Sequence, residues 1–318
     1  MLLGIGTQLI AQTTSTDLYK NYSTATTDSA KSWACYKLSD YYLKNAQYDS
    51  CQKYITIGEH IASKLANKQN LAAIYMNKAK LSRRKGNLTK CIELYNTAYS
   101  LLPTDHPSRL AIQLNMSDVH IEQGHYAASL KILLELATYY ENLKTKEKYK
   151  TLASVYFQLG KLHDHFKDAN KAIHYFTKTL QVAQQYDLPK MQASAYNGLG
   201  NSHLNTKQYS KALGYFEQAL AIDTQLKDKQ NSSNDLHSIA TVYMSLGNYE
   251  ESIKKQEAAI GNSIETKNGK NVAKGYQNIA SCYQKLGKYE KALTYSEKAI
   301  SLFQNYDEPI STIELYET

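Results

Sequence analysis

His163, Asp164 and His165 are the densest grouping of side chains in this sequence that could hold a metal ion or move a proton. Residues two apart on a helix diverge by about 200°, so the two imidazoles cannot share one ion. The cysteines offer no site either. Cys35, Cys51, Cys91 and Cys282 show neither CxxC nor any ligand spacing, and although an even count permits disulfides, their positions do not suggest a disulfide framework. Phosphate-cradling GxxxxGK[ST], dinucleotide-binding GxGxxG, zinc-peptidase HExxH and nucleophile-elbow GxSxG are all missing. The residues therefore argue against an enzyme, and neither a metal nor a cofactor is expected.

What the sequence supplies instead is a regular scaffold. In the stretch Tyr196–Asp223, YNGLGNSHLNTKQYSKALGYFEQALAID, one helical stripe carries Tyr196, Leu199, Gly200 and His203. Tyr209 follows a polar turn, and Ala212, Phe216, Ala219 and Leu220 form a second stripe. Two such helices make a hairpin that cannot bury both stripes alone. Copies of it solve the problem. Gly160, Gly200, Ala240 and Ala280 recur at an interval of 40, and Ser39, Ala79 and Ser117 extend the series to seven units. Regular self-similarity at this period means a solenoid. Twelve positions after each marker stands another small residue, Cys51, Cys91, Ser129, Ala172, Ala212, Ser252 or Ala292, which lets paired helices approach closely. The turn positions are Ala46, Gly86, Gly124, Lys167, Lys207, Gly247 and Gly287. His120, His163 and His203 occupy the stripe position that is Tyr243 and Tyr283 in later units, so they are read as core residues. Asp-x-Pro at 105–107, 187–189 and 307–309 marks helix starts, with the aspartate as a candidate cap.

The order aromatic, Leu-Gly, aromatic or His, Tyr, Ala, Phe, Ala resembles the tetratricopeptide repeat in a 40-residue form. The resemblance implies an all-α, right-handed α-solenoid of about seven helical hairpins plus a partial eighth first helix. It divides the chain into a signal-peptide remnant with a polar linker at 1–28, seven repeats at 29–306, and the start of an eighth repeat or capping helix at 307–318. In that family the first helices line a groove. Carried over position by position, the groove receives Lys37 and Asp40, then Asn77, Lys80, Arg83 and Arg84, then Asn115 and Asp118. The fourth and fifth units contribute Phe157, Gln158, Lys161 and Asp164, then Asn197, Asn201 and Asn205. The last two contribute His237, Ser238 and Thr241, then Lys274, Gln277, Asn278 and Ser281. Amides are frequent in this row and suit the backbone of an extended peptide, being both donors and acceptors; the same residues also suit a helix surface facing water. The two-carboxylate clamp that binds chaperone tails is not assigned, since only Asn201 and Lys274 match its pattern.

Composition narrows the partners. The net charge is +8, but the basic residues are 34 lysines and 3 arginines spread along most repeats, unlike the arginine-rich stripe of a nucleic-acid reader. Nucleic acid and membrane are therefore not expected partners of this region. The 28 tyrosines fall mostly on the stripes, where a large ring with one polar tip suits a thin core. The expected function is non-catalytic binding of a protein or extended peptide. The resemblance points to the exported sensor half of a bacterial signalling or transcription-regulatory protein. In such proteins a membrane helix and an output domain would follow the repeats. A free-standing cytoplasmic adaptor is the alternative, and glycan binding on tyrosines a third reading. The opening MLLGIGTQLIA has an apolar run too short to span a bilayer and a plausible cleavage point after Ala11, although it lacks a basic start. At the other end the sequence stops at Thr318, within the expected eighth helix, which reads as part of a longer protein. Export predicts that N-terminal sequencing of the mature protein begins at Gln12; retention of Met1 with cytosolic recovery would refute it.

Overall fold

A computed structural model of the chain describes residues 15–143 and 148–304. These residues form fifteen α-helices and, among themselves, no strand. Two compact units divide the chain between residues 132 and 133. The first contains α1 (Ser15–Ser23), the hairpin α2 (Asp28–Lys44) with α3 (Tyr48–Lys64), and the hairpin α4 (Lys68–Arg84) with α5 (Leu88–Leu101). It also holds α6 (Ser108–Glu122) and the beginning of α7 (Tyr126–Asn142). The second takes the rest of α7 and four hairpins. These are α8 (Lys148–His165) with α9 (Ala169–Gln185), α10 (Pro189–Asn205) with α11 (Tyr209–Gln225), α12 (Lys229–Ser245) with α13 (Tyr249–Glu265), and α14 (Gly269–Lys285) with α15 (Tyr289–Gln304).

Cores form between hairpins as well as within them, as amphipathic repeats require. Leu43 of α2, Cys51, Ile55 and Ala62 of α3, and Ile74 and Leu81 of α4 make one cluster. In the second unit Ala212 and Phe216 of α11 meet Ile239 and Val242 of α12. The small-residue markers have a specific cause here. A Cβ added to Gly160 would lie 2.6 Å from the Phe176 ring, and one added to Gly198 would lie 2.5 Å from it, so that ring fills the space between α8 and α10. Phe216 bears on Gly200 in the same way, at 2.6 Å.

The stripe histidines are packed as core residues. His163 stacks on Tyr175 with ring centroids 5.5 Å apart, His203 on Tyr215 at 5.4 Å, and Tyr283 on Tyr295 at 5.5 Å. Burial holds both imidazoles below their ordinary range, hence neutral. The four cysteines are buried free thiols, and burial pushes those of Cys35, Cys51 and Cys91 up to about 11.

Every expected turn position between paired helices is left-handed, from Ala46 (φ 55°) through Lys167 (57°) and Lys207 (61°) to Gly287 (70°). At Lys207 the amide N–H donates to Leu204 O at 2.9 Å and that of Gln208 to His203 O at 2.8 Å, the reverse-turn pairing that closes a helix C-terminus.

Two expectations change. Residues 15–23, read as linker, form α1, whose Leu18 and Tyr22 pack on the cluster of Cys35, Leu38 and Tyr54. This short amphipathic stretch lies outside the 40-residue series and has no copy to reveal it. Of the Asp-x-Pro aspartates, Asp105 and Asp187 do not cap, and Asp307 lies outside the described residues. At α6 the imidazole Nδ1 of His106 accepts from Ser108 N at 3.2 Å, and at α10 Asp187 is itself left-handed (φ 50°) with Leu188 in the cap position. Side-chain caps come instead from Asn67, Asp168, Asp228 and Asn268, among others. The expected eighth helix and the segment 1–14 lie outside the described residues.

Thermal denaturation should register both local constraints with opposite signs. Gly200→Leu forces a side chain into the Phe216 ring and should cost about 1–3 kcal/mol. Lys207→Gly relieves a left-handed lysine and should raise stability by about 1 kcal/mol.

Candidate ligand cleft of the second unit

The period of 40 brings each first helix alongside the next, and polar side chains in that seam bond to each other. Asn77 is fully buried and donates to Ser39 Oγ at 2.9 Å and to Tyr36 O at 3.1 Å. Asn70 donates to Ser32 Oγ at 2.6 Å, Ser202 to Asp164 Oδ1 at 3.0 Å, and Asn197 to Asp235 Oδ1 at 2.6 Å. Each of these side-chain pairs is 38 residues apart, two short of the period.

In the second unit the first helices frame a cleft of about 620 Å³. Helix α8 supplies Phe157, Lys161, Asp164 and His165, and α10 supplies Asn197, Asn201 and Asn205. Asn231, Asn234 and Ser238 come from α12, while Phe176, Gly198 and Asp223 close the floor. Asn201, Asn205, Asn231 and Asn234 are exposed, and Asn234 Oδ1 accepts from Asn271 at 2.9 Å.

Beneath those amides lies a pair of carboxyls. Asp223, in the last turn of α11, is 2% exposed, and Asp235 of α12 is 0% exposed. Asp223 Oδ1 and Asp235 Oδ2 receive no hydrogen bond from any other described residue. The two side chains interact with each other, an attractive contact only when one of them carries a proton and donates it. Burial raises both groups and pushes Asp235 up to about 7, with the Asp223 and Asp228 charges adding to the rise and the Asn197 hydrogen bond opposing it. Lys190, which also acts on Asp223, is an exposed side chain 3.9 Å from Asp228.

The sequence-derived groove residues separate into three groups. Phe157, Lys161, Asn197 and Asn201 do converge on this cleft, joined by Asp164, Asn205 and Ser238; Gln158 lies on α8 without lining it. In the first unit Lys80, Arg83, Arg84 and Asn115 line a separate cleft of about 520 Å³, in which Lys80 and Arg83 are already engaged with acids. Arg83 Nε donates to both carboxylate oxygens of Glu122 at 3.0 and 3.1 Å and its guanidinium lies 3.8 Å from Asp118, while Lys80 sits 3.6 Å from Asp40.

The remainder are corrections or lie elsewhere. Asn77 is interior and its amide is used between repeats. His237, 8% exposed, faces α13 and pairs through Nδ1 with Gln256 Oε1; burial keeps it neutral. Thr241 folds back on His237 O at 2.9 Å, and Lys274, Gln277 and Asn278 stand on α14 outside the cleft. The reason is helical phase. A position that faces the groove in one repeat turns toward its neighbour when the next side chain offers it a partner.

Asp223 and Asp235 had no motif to single them out. The available signal was indirect: a carboxylate on the first helix exactly where Asn197 plus 38 falls, by the same offset that joins Asn77 to Ser39.

Stacked antiparallel hairpins with close crossings at small residues define a helical-repeat scaffold. The chain belongs to the tetratricopeptide repeat family, whose signature matches residues 149–225 and 231–305, with a further match over 72–105. Among solved structures, the apo form of the quorum sensor NprR from B. thuringiensis is similar at TM-score 0.73 and 16% identity, over 91% of this chain and 80% of that one. The apo form of RapI is similar at 0.68 and 13%, over 88% and 100%. A Rap protein complexed with competence and sporulation factor follows at 0.58 and 14%, over 96% of each chain. No curated protein matches the sequence. At these identities the likeness establishes the fold alone.

The carboxyl pair gives a pH test. Its folded state holds a proton more tightly than the unfolded chain does, so its stabilising contribution is complete below the ordinary aspartate range and is lost as pH rises through about 7. Buried neutral histidines act with the opposite sign. The difference between wild type and Asp235→Asn should isolate the pair, the variant losing less melting temperature than wild type between pH 5 and pH 8, both about one unit or more from that midpoint.

Proposed function

We propose that this chain is a non-catalytic scaffold that binds an extended peptide or protein segment in the first-helix cleft of the second unit. The observation that carries this reading is the row Asn201, Asn205, Asn231 and Asn234, four exposed amides on two adjacent helices facing one cleft. Amides pair with the N–H and C=O groups of an extended backbone whatever its side chains, and a cleft of this size takes a few residues of peptide. The half-buried ring of Phe157, seated 5.6 Å from the buried Phe176 ring, supplies an apolar surface for one side chain. Two similar folds support the same reading, one described as a quorum sensor and one as complexed with a factor. We propose further that it is the sensor or interaction part of an exported bacterial signalling or regulatory protein.

Selection of peptides on the full chain from a random displayed library tests the proposal. Asn201→Ala with Asn205→Ala should weaken the selected peptides by about tenfold or more, since each lost amide contact is worth roughly 0.5–1.5 kcal/mol. Helicity and melting temperature should stay near wild type, because both side chains are exposed. Unaltered affinity in that double variant would show that the cleft is not the binding site.

A further inference from the structure

The two buried acids below the peptide cleft differ in how they are held. Asp235 is tethered: its Oδ1 takes the Asn197 amide at 2.6 Å, and its side chain does not line the cleft. Asp223 does line the cleft floor, and its Oδ1 receives no hydrogen bond from any other described residue. One acid is therefore fixed in the seam, and the other stands at the boundary between seam and cleft. Few charges surround them. Helix α10 carries Lys190, 75% exposed and 3.9 Å from Asp228, together with the neutral Asn197. Helix α12 adds Asp228 at its N-cap, whose charge acts on both acids, and across the cleft α8 carries Lys161, Asp164 and His165. Lys190 alone among these favours a second negative charge on Asp223, and it does so from the exposed surface, where water screens it. Two ionised carboxylates in contact within the seam therefore repel with little to offset them.

We infer that Asp223 is a pH-operated gate in the floor of the peptide cleft. The inference rests on the peptide-scaffold reading and supplies its regulation. With one shared proton in place, the two carboxyls stay bonded to each other below the floor and the cleft is free. When that proton leaves to solvent, the pair goes from one negative charge to two. The tethered Asp235 stays in the seam, and the Asp223 carboxylate turns into the cleft, where water and the exposed amides of Asn231 and Asn234 solvate it. There it takes up both the volume and the amide donors that a peptide backbone needs. Protonation and peptide binding are thereby linked, and affinity falls with the population of the protonated, competent form. Burial pushes Asp235 up to about 7, so the competent fraction is about nine-tenths at pH 6 and about a thirtieth at pH 8.5.

Peptides selected on the full chain at about pH 6 test the gate. Those that lose affinity in the Asn201→Ala, Asn205→Ala variant occupy the cleft, and their dissociation constant should rise about tenfold or more between pH 6 and pH 8.5. At pH 8.5, titrations in buffers of different ionisation enthalpy should show close to one proton taken up per peptide bound. Asp223→Asn and, separately, Asp235→Asn each leave one acid beside an amide, and in both the change with pH should shrink below about twofold. Infrared difference spectroscopy of the free chain reads the pair without a peptide. The carbonyl band of a protonated carboxyl should be lost from wild type between pH 6 and pH 8.5, and that loss should be missing in either variant. If one variant fails to fold, as judged by circular dichroism, the other decides. Cleft-binding peptides with equal affinity at both pH values, a pH effect that survives in the variants, or an infrared difference without the carbonyl band would overturn the gate and leave the peptide scaffold standing. Failure to select any peptide, or peptides unaffected by the Asn201→Ala, Asn205→Ala change, would overturn the scaffold reading and the gate with it.

Discussion

Neighbouring first helices lie so close that a polar side chain caught between them must find its partner on the adjacent repeat. A buried amide or carboxylate without a partner costs roughly 1–3 kcal/mol, a large share of the stability of any domain. The close approach is itself set by packing. Phe176 fills the gap that Gly160 and Gly198 leave, and Phe216 does the same at Gly200, so the spacing of helices follows from ring against backbone. The rungs Asn77 to Ser39, Ser202 to Asp164 and Asn197 to Asp235 are the consequence.

The same constraint produces the site. Most rungs join neutral groups, and there the seam is merely closed. At α10 and α12 the rung ends on Asp235, and α11 delivers Asp223 to the same point from the preceding hairpin. Three consecutive helices thus converge on one small volume beneath exposed amides. Burial, with the neighbouring Asp228 charge, drives the two acids toward sharing a proton beneath the floor of that cleft. In the first unit, by contrast, Lys80 and Arg83 meet acids on the neighbouring first helices, α2 and α6. Arg83 is held by Glu122 and Asp118, so that cleft is charge-compensated from within.

Turn chemistry illustrates how strongly the repeat geometry overrides local preference. Glycine is the residue suited to a left-handed helix end, and Gly86, Gly124, Gly247 and Gly287 meet that demand. Ala46, Lys167 and Lys207 adopt the same conformation without glycine's freedom, because packing of the paired helices dictates the path of the turn. The helix N-termini show a similar substitution of roles. His106 takes the place that Asp105 would fill, and Asp187 gives up its cap to occupy a left-handed turn.

The sequence by itself determined the repeat, its period, its seven hairpins, the turn positions and the packing of His163 and His203, since each depends on spacing along a helix and recurs seven times. Phe157, Lys161, Asn197 and Asn201 were legible as neighbours for the same reason. Only the tertiary structure decided which polar residues stay open to solvent and which face a neighbouring helix. Asn77, Asn197 and Asn201 occupy related positions, yet the first is sealed against Ser39, the second is bound to Asp235, and the third is open to solvent. Helical period specifies a face but not what stands opposite it. That is set by the residue 38 positions away and, for Asp223, by a helix of different phase, and such contacts leave no periodic trace in a single chain.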